Sequence, residues 1–305
     1  MSSKHHPPTQ YTLGTDEAGY GPNLGPLVIS ATLWRETPDG RAEDWSDLLA
    51  DSKKLYAAHG SLAKLENGVL AGLAAVNRPV TTWQELKSGA IDPCSDGLNE
   101  LPPWEKDFNP ALPLDADPNI LPAIADRLAS RLLTLKSRRI HAETFNSLLD
   151  RDKLKSTLLT RQTLALTRNV IASLPDEAVA TVYSDKHGGR NAYAAPLYEA
   201  FPEAVIEIIA ESREISSYRI VDGGRRIDWH FAARGESRHE TALASMLSKY
   251  LRELSMKAFN RFWQSQVPNL APTAGYPVDA KRFWEAIDPI RQKLGLVADA
   301  VWRRK

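Results

Sequence analysis

At 305 residues the chain can bury one large core or two modest ones, and its 43% hydrophobic and 25% charged residues are those of an ordinary soluble globular protein. A formal net charge of zero excludes a global basic field, so any nucleic-acid affinity must come from local patches. The single cysteine, Cys94, excludes an intramolecular disulfide framework, and a polar start with no membrane-length apolar run sets a cytoplasmic location as the expectation.

His5 and His6 fall in a polar opening read as a disordered tail rather than a metal site. From Tyr11 the chain reads as a strand that closes on two adjacent acids, Asp16 and Glu17, and opens into a glycine-rich turn. Gly19, Gly21 and Gly25 allow positive φ and close approach, while Pro22 and Pro26 stiffen the path. Leu27 to Leu33 is expected as the second strand. Neighbouring strand side chains point to opposite faces, so two adjacent acids share a site only where the strand stops, which is expected at Ala18-Gly19. Such a carboxylate pair can ligand Mg²⁺ or Mn²⁺, and a solvated acidic turn is the plain alternative. Gly19-Tyr20-Gly21 lacks the third glycine of a dinucleotide-binding turn.

Trp45 to Leu55 reads as a helix and loop ending in Asp51-Ser52-Lys53-Lys54-Leu55, where a hydroxyl and two ammonium groups can meet phosphate or simply be solvated. Ser61 to Val76 has helical spacing. The prolines between about 88 and 122 exclude a long helix or central strand and suggest an inserted surface loop, pinned to the body by Trp104 and Phe108. A helix is expected over 121–135, a strand over 138–146 and a long helix over 151–174. Ala178 to Tyr183 is an apolar strand running into Ser184-Asp185, with His187 in the following turn read as a surface residue rather than a proton shuttle. A short helix from 191 to 201 and strands at 205–210, 217–221 and 226–232 come next, with a turn at Asp222-Gly223-Gly224. Gly235-Glu236-Ser237 precedes a helix in which Lys249 and Arg252 line a phosphate track or are ordinary solvated charges. Gly275-Tyr276-Pro277 and a closing helix over 282–296 complete the chain.

The phrase Asp-Glu-Ala-Gly-Tyr-Gly-Pro-Asn-Leu-Gly-Pro at 16–26 resembles the N-terminal signature of the type 2 ribonucleases H, with Tyr20 where that family carries arginine. Four further landmarks match in order. They are Asp51 to Leu55; Asp185 for the family's strand-end aspartate; Glu236 in Gly-Glu-Ser for its Gly-Asp-Ser, with the helix phrase Ala244-Ser245-Met246-Leu247-Ser248-Lys249; and Gly275-Tyr276-Pro277, with Ala274 in a lysine's place. Glu143-Thr144-Phe145-Asn146 is similar, more weakly, to the family's strand–Asn–helix step.

The resemblance implies an α/β fold: a ribonuclease-H-like mixed five-stranded sheet with flanking helices, an extra β-hairpin and a helical C-terminal part. It divides the chain into a tail at 1–10, a catalytic domain at 11–265 with insertions about 88–122 and 203–224, and a helical extension at 266–305 on the same domain. It also implies two-metal hydrolysis with Mg²⁺ or Mn²⁺ held by Asp16, Glu17, Asp185 and Glu236, and Glu240 as the fallback ligand. The implied substrate is an RNA–DNA hybrid or a duplex with embedded ribonucleotides. It would be contacted by Gly19, Tyr20, Gly21, Ser52, Lys53, Lys54, Ser237, Lys249 and Tyr276, the last reading the 2′-hydroxyl side of the sugar. A monomer is implied. A nuclease of the same fold with another nucleic-acid specificity, and a non-catalytic binding module, stay open.

Overall fold

The computed structural model describes residues 9–37, 45, 47–49, 61–92, 101–233 and 238–304. The N-terminal residues 1–8, Asp51 to Leu55, Cys94, and Gly235 to Ser237 lie outside them.

One mixed sheet carries the molecule. Its strands are β1 (Gln10–Ala18), β2 (Leu27–Arg35), β3 (Ile91–Asp92), β4 (Leu132–Ile140), β5 (Val179–Asp185), β6 (Val205–Glu211), β7 (Ile215–Asp222) and β8 (Arg225–Ala232), in the order β3-β4-β2-β1-β5-β8-β7-β6. The five inner strands run β4-β2-β1-β5-β8: β4, β2 and β1 are antiparallel neighbours, whereas β1, β5 and β8 are parallel. This is the mixed five-stranded sheet expected from the sequence. The two-residue β3 borders it on one side, and the β6–β7 hairpin extends it on the other.

Helices cover both faces. They are α1 (Ala63–Ala75), α2 (Trp83–Ala90), α3 (Pro103–Lys106), α4 (Leu121–Ala129), α5 (Ala142–Asp152), α6 (Lys155–Ile171), α7 (Ala194–Ala200), α8 (His239–Gln266), α9 (Pro277–Lys293) and α10 (Ala298–Val301). β2 is apolar on both sides, as a central strand must be. Leu27, Ile29 and Leu33 join Leu158, Leu159 and Leu166 of α6, while Val28 and Trp34 meet Leu243, Leu247 and Leu251 of α8. A third cluster joins the far half of α8 to α9 through Phe259, Trp263, Phe283 and Ile287.

Gly14 sets how closely α8 approaches the sheet. A Cβ there would stand 2.1 Å from the Glu240 carbonyl carbon, so only glycine lets the start of the helix lie on β1. Thr32 fixes the same point by donating to the Glu240 carbonyl at 2.8 Å.

Between residues 121 and 174 the boundaries differ from expectation. The helix ends at Ala129, β4 occupies 132–140, and the residues read as the end of a strand are the first turn of α5. The first half of β4, Leu132 to Leu135, continues the apolar spacing of the helix before it, and only its charged end is expected as strand. Arg138 is buried and donates to Gln162 at 2.9 Å, and Arg139 pairs with the buried Glu105, so a central strand carries two guanidinium groups. The long helix expected at 151–174 breaks at Lys153, whose φ of 63° ends α5 before α6 begins.

The proline-rich stretch is firmly anchored where it is described. Trp104 packs edge-to-face on Phe259 at 5.1 Å and Phe108 on Trp83 at 6.4 Å. The buried Glu66 carboxylate accepts the backbone N–H groups of Leu114, Asp115 and Ala116 at 2.6–2.8 Å. A buried carboxylate satisfied this way substitutes for the missing regular hydrogen bonding of a Pro-rich segment.

Candidate active site

The ends of β1 and β5 bring two acids together. Thr15 pairs with Ser184 in the parallel ladder and donates to its hydroxyl at 2.7 Å, so Asp16 and Asp185 follow side by side. Alternation then decides the face. Leu13, Ala180 and Val182 enter the core beneath α6, which turns Gly14, Asp16, Tyr183 and Asp185 towards α8.

Asp16 is only 7% exposed, and its carboxyl is pushed up to about 7 by burial, with the charge of Asp185 adding to the shift. Opposing it are a hydrogen bond with the Ser245 hydroxyl, the Glu17 amide and the Lys249 ammonium. Ser248 donates to the Asp16 carbonyl oxygen at 3.0 Å and to Ser30 at 2.8 Å. Ser245, Ser248, Lys249 and Arg252 are spaced i, i+3, i+4 and i+7, so one polar stripe of α8 faces the end of β1.

Glu17 is the next residue along the same strand. The β1–β2 ladder continues through Glu17–Ile29 and Ala18–Val28, so the strand does not stop between the acids as expected. Val28 and Ile29, just after Pro26 in extended form, supply the partners that carry the ladder through Glu17 and Ala18. Period-two alternation sends Glu17 to the α6 face, where its charge helps raise the Tyr20 and Tyr193 hydroxyls after burial. Tyr20 sits there with the Lys155 ammonium 5.4 Å over its ring and Arg190 nearby.

β8 leaves the sheet at Ala232, beside Asp185, on its way to Glu236. Glu236, Ser237, Ser52, Lys53 and Lys54 are outside the described residues. Glu240, the fallback ligand, is fully buried at the start of α8, 3.4 Å from the Arg238 Nε and 3.6 Å from the His239 Nδ1. His187 is not a surface residue: it is 2% exposed, its Nδ1 lies 3.0 Å from the Thr160 hydroxyl, and its amide donates to Tyr193. Its ring packs edge-on against Tyr193 and Phe231, each at 5.8 Å, and the chain then turns at Gly188-Gly189, both with positive φ.

The glycine-rich loop is clamped from two sides. Asn23 and Leu24 donate to the Gly275 carbonyl at 2.8 and 3.2 Å, and Arg252 donates to the Ala274 carbonyl at 2.9 Å. Gly275 has φ 83°, and a Cβ there would stand 2.4 Å from the Leu24 carbonyl oxygen. This contact brings the exposed Tyr276 ring to 4.0 Å from the position of a Cβ on Gly21. On the other side, Arg303 donates to the Gly19 and Pro22 carbonyls, and its own amide donates to Asn23 at 2.8 Å.

The structure therefore gathers Asp16, Asp185 and Lys249 at one strand end and sets Gly19, Gly21 and Tyr276 around the adjoining loop. Sequence reasoning missed Ser245, Ser248, Asn23 and Arg303. The two serines could have been found as small polar residues at helical spacing with Lys249. Nothing local marks Arg303.

Among the described residues, no group of three or more His, Cys, Asp or Glu is placed to hold a metal ion. Asp16 and Asp185 nevertheless fit a hard divalent cation. They are two oxygen donors that raise one another's proton affinity on a shared face, and a cation between them would remove that repulsion.

No protein-family model matches the chain, and no curated protein matches it. Among solved structures it is similar to ribonuclease H2 from Pyrococcus horikoshii OT3, at 13% identity over 95% of this chain and 92% of that one, with a TM-score of 0.44. It is also similar to RNase H3 from Aquifex aeolicus, at 15% identity over 96% and 71% of the chains and a TM-score of 0.48. A third likeness is to Bst-RNase HIII in complex with Mn²⁺, at 16% identity over 98% and 68% and a TM-score of 0.42.

Proposed function

We propose that the chain is a metal-dependent endonuclease of the ribonuclease H type, acting on the RNA strand of RNA–DNA hybrids or at ribonucleotides embedded in DNA. The observation that carries this reading is the placement of Asp16 and Asp185. They follow the last pair of the parallel β1–β5 ladder, face the same helix and lie next to a glycine-rich loop bordered by an exposed tyrosine. The motif phrase at 16–26 supports the same reading from the sequence.

Asp16 and Asp185, with Glu236 and Glu17 as further candidates, would hold Mg²⁺ or Mn²⁺. When bound, such ions lower the pKa of water and neutralise charge on a phosphodiester. The protein's own groups have separable tasks. Ser245 orients the Asp16 carboxylate and favours its ionised form. Lys249 places a positive charge on the same face, where a substrate phosphate would approach. Tyr276 offers a ring beside the Gly21 backbone, suited to stacking on a sugar at the point where a 2′-hydroxyl distinguishes RNA from DNA. No helix among the described residues is long and apolar enough to cross a membrane.

The test is cleavage of three labelled duplexes with Mg²⁺ or Mn²⁺: a full hybrid, DNA with one embedded ribonucleotide, and all DNA. Cutting of either RNA-containing duplex, lost in Asp185→Asn, is the expected result. Equal cutting of the all-DNA duplex would move the reading to another nucleic-acid specificity, and binding without cutting would move it to a non-catalytic module.

A further inference from the structure

Arg303 is a buried charge near the end of the chain. It is 0% exposed, and among the described residues it forms no ion pair with a carboxylate. Its Nη2 donates to the Gly19 and Pro22 carbonyls, its guanidinium lies 4.7 Å over the Phe145 ring, and its Nε and Nη1 have no hydrogen-bond partner. Burial, with the neighbouring Arg252 charge, pulls its pKa down to about 9, which still leaves it cationic at neutral pH.

Its contacts orient the glycine-rich loop. In a trans peptide the carbonyl and the next N–H point in opposite directions. With the Gly19 carbonyl turned inward to Arg303, the Tyr20 N–H is turned outward. That amide belongs to a residue flanked by the Lys155 ammonium, 5.4 Å above its ring, and by Arg190. The Tyr20 side chain contributes no charge of its own. A desolvated guanidinium directly behind the loop is poorly screened, so its field acts through the two carbonyl dipoles on whatever meets the outer side.

We propose that Arg303 is a positioning residue that makes the Gly19–Pro22 turn a phosphate cradle, holding the Tyr20 amide outward and supplying from beneath the positive potential for a phosphodiester oxygen. The inference rests on the nucleic-acid reading for its natural ligand, but the cradle itself can be tested without nucleic acid. One main-chain and one side-chain bond hold the device in place: Arg303 N–H to the Asn23 carbonyl at 2.8 Å and Asn23 Nδ2 to the Arg303 carbonyl at 2.9 Å. Asn146 ties the same segment to α5 by donating to the Trp302 carbonyl at 2.8 Å.

A buried guanidinium without a carboxylate is costly to the fold, so its replacement by an apolar residue can leave stability unchanged or higher. That gives a signature packing alone would not produce. The full chain, labelled with ¹⁵N-tyrosine, would be titrated with inorganic phosphate, the Tyr20 amide signal being assigned by its disappearance in Tyr20→Phe. Wild type and Arg303→Lys are expected to show a saturable Tyr20 shift. Arg303→Met is expected to lose the shift while melting at the wild-type temperature or above, and to bind a labelled RNA–DNA hybrid about tenfold more weakly. Should Arg303→Met fail to fold, Arg303→Gln, which keeps a donor but no charge, takes its place with the same expectation.

An unshifted Tyr20 amide in wild type, or a full shift in the folded uncharged variant, overturns the proposal. Phosphate binding lost in step with a lowered melting temperature would also overturn it, marking Arg303 as packing only. A phosphate shift in wild type without hybrid binding would uphold the cradle while removing the nucleic-acid reading.

Discussion

Asp16 and Asp185 stand at the same level just past the last pair of the parallel β1–β5 ladder and turn to the same helix, so each raises the cost of ionising the other. A divalent cation between them relieves that cost, and its removal restores it. Excess Mg²⁺ or Mn²⁺ is therefore expected to raise the melting temperature at pH 8 by several degrees over protein in EDTA. Asp16→Asn and Asp185→Asn are each expected to abolish the increment while melting in EDTA no lower than wild type, since each removes a repelling charge. Thermal scans of the three proteins with and without metal decide this, and an undiminished increment in both variants would exclude the pair as ligands.

Ser245 acts on the same carboxylate from α8. A hydrogen bond to a charged group contributes about 1.5–3 kcal/mol, roughly a tenfold to hundredfold effect. Ser245→Ala is expected to raise the metal concentration for half-maximal stabilisation by at least about tenfold, with a loss of melting temperature in EDTA of only a few degrees. Isothermal titration with Mn²⁺ measures the affinity directly. Wild-type affinity in this variant would remove Ser245 from the site.

Gly14 tests the architecture independently of function. A methyl group there would meet the Glu240 carbonyl carbon at 2.1 Å and the Thr241 nitrogen at 2.2 Å, both backbone atoms. Gly14→Ala must push α8 off β1, at a cost of about 3 kcal/mol or more. Urea denaturation is expected to show this loss, with Gly89→Ala, whose added atom meets only Val80 at 3.8 Å, as a near-neutral control.

The acid limb of stability has an identifiable contributor. His141 has its pKa lowered from 6.5 to about 4, first by burial and then by the charges of Arg139 and Lys87, with Glu105 opposing. The unfolded chain takes up this proton below about pH 6.5, whereas the folded chain does so only near 4. The stabilisation is thus complete above 6.5 and is lost as the pH falls towards 4, with a slope of up to about 1.4 kcal/mol per pH unit. His141→Gln is expected to flatten the dependence of unfolding free energy on pH over that interval. An unchanged slope in the variant would assign the acid loss to other groups.

Much of this was legible in the residues themselves. The phrase around Asp16 located the first strand and its acid because alternation, glycines and prolines all point to a strand running into a fixed turn. Asp185 was legible as the end of an apolar run. β4 was legible only at its end: Arg138 to Ile140 read as strand, whereas Leu132 to Leu135 read as the tail of the preceding helix, and the partners of the two arginines, Gln162 and Glu105, come from distant parts of the chain. The pairing of Gly275 with Leu24, which sets Tyr276 beside Gly21, and the reach of Arg303 to Gly19 are likewise long-range facts without a local signal. Adjacent acids were the instructive difference. The sequence suggested that the strand stops between Asp16 and Glu17, and the ladder instead runs on through Ala18, so alternation rather than a strand end sets the direction of each acid.

The clamp on the glycine-rich loop spans 284 positions between Gly19 and Arg303. Contacts of such separation form only after the intervening chain has been brought to order, since closing so long a loop costs entropy before it returns any contact. The shape of the turn beside the acids therefore depends on the far end of the chain being in place, although the two are remote in sequence.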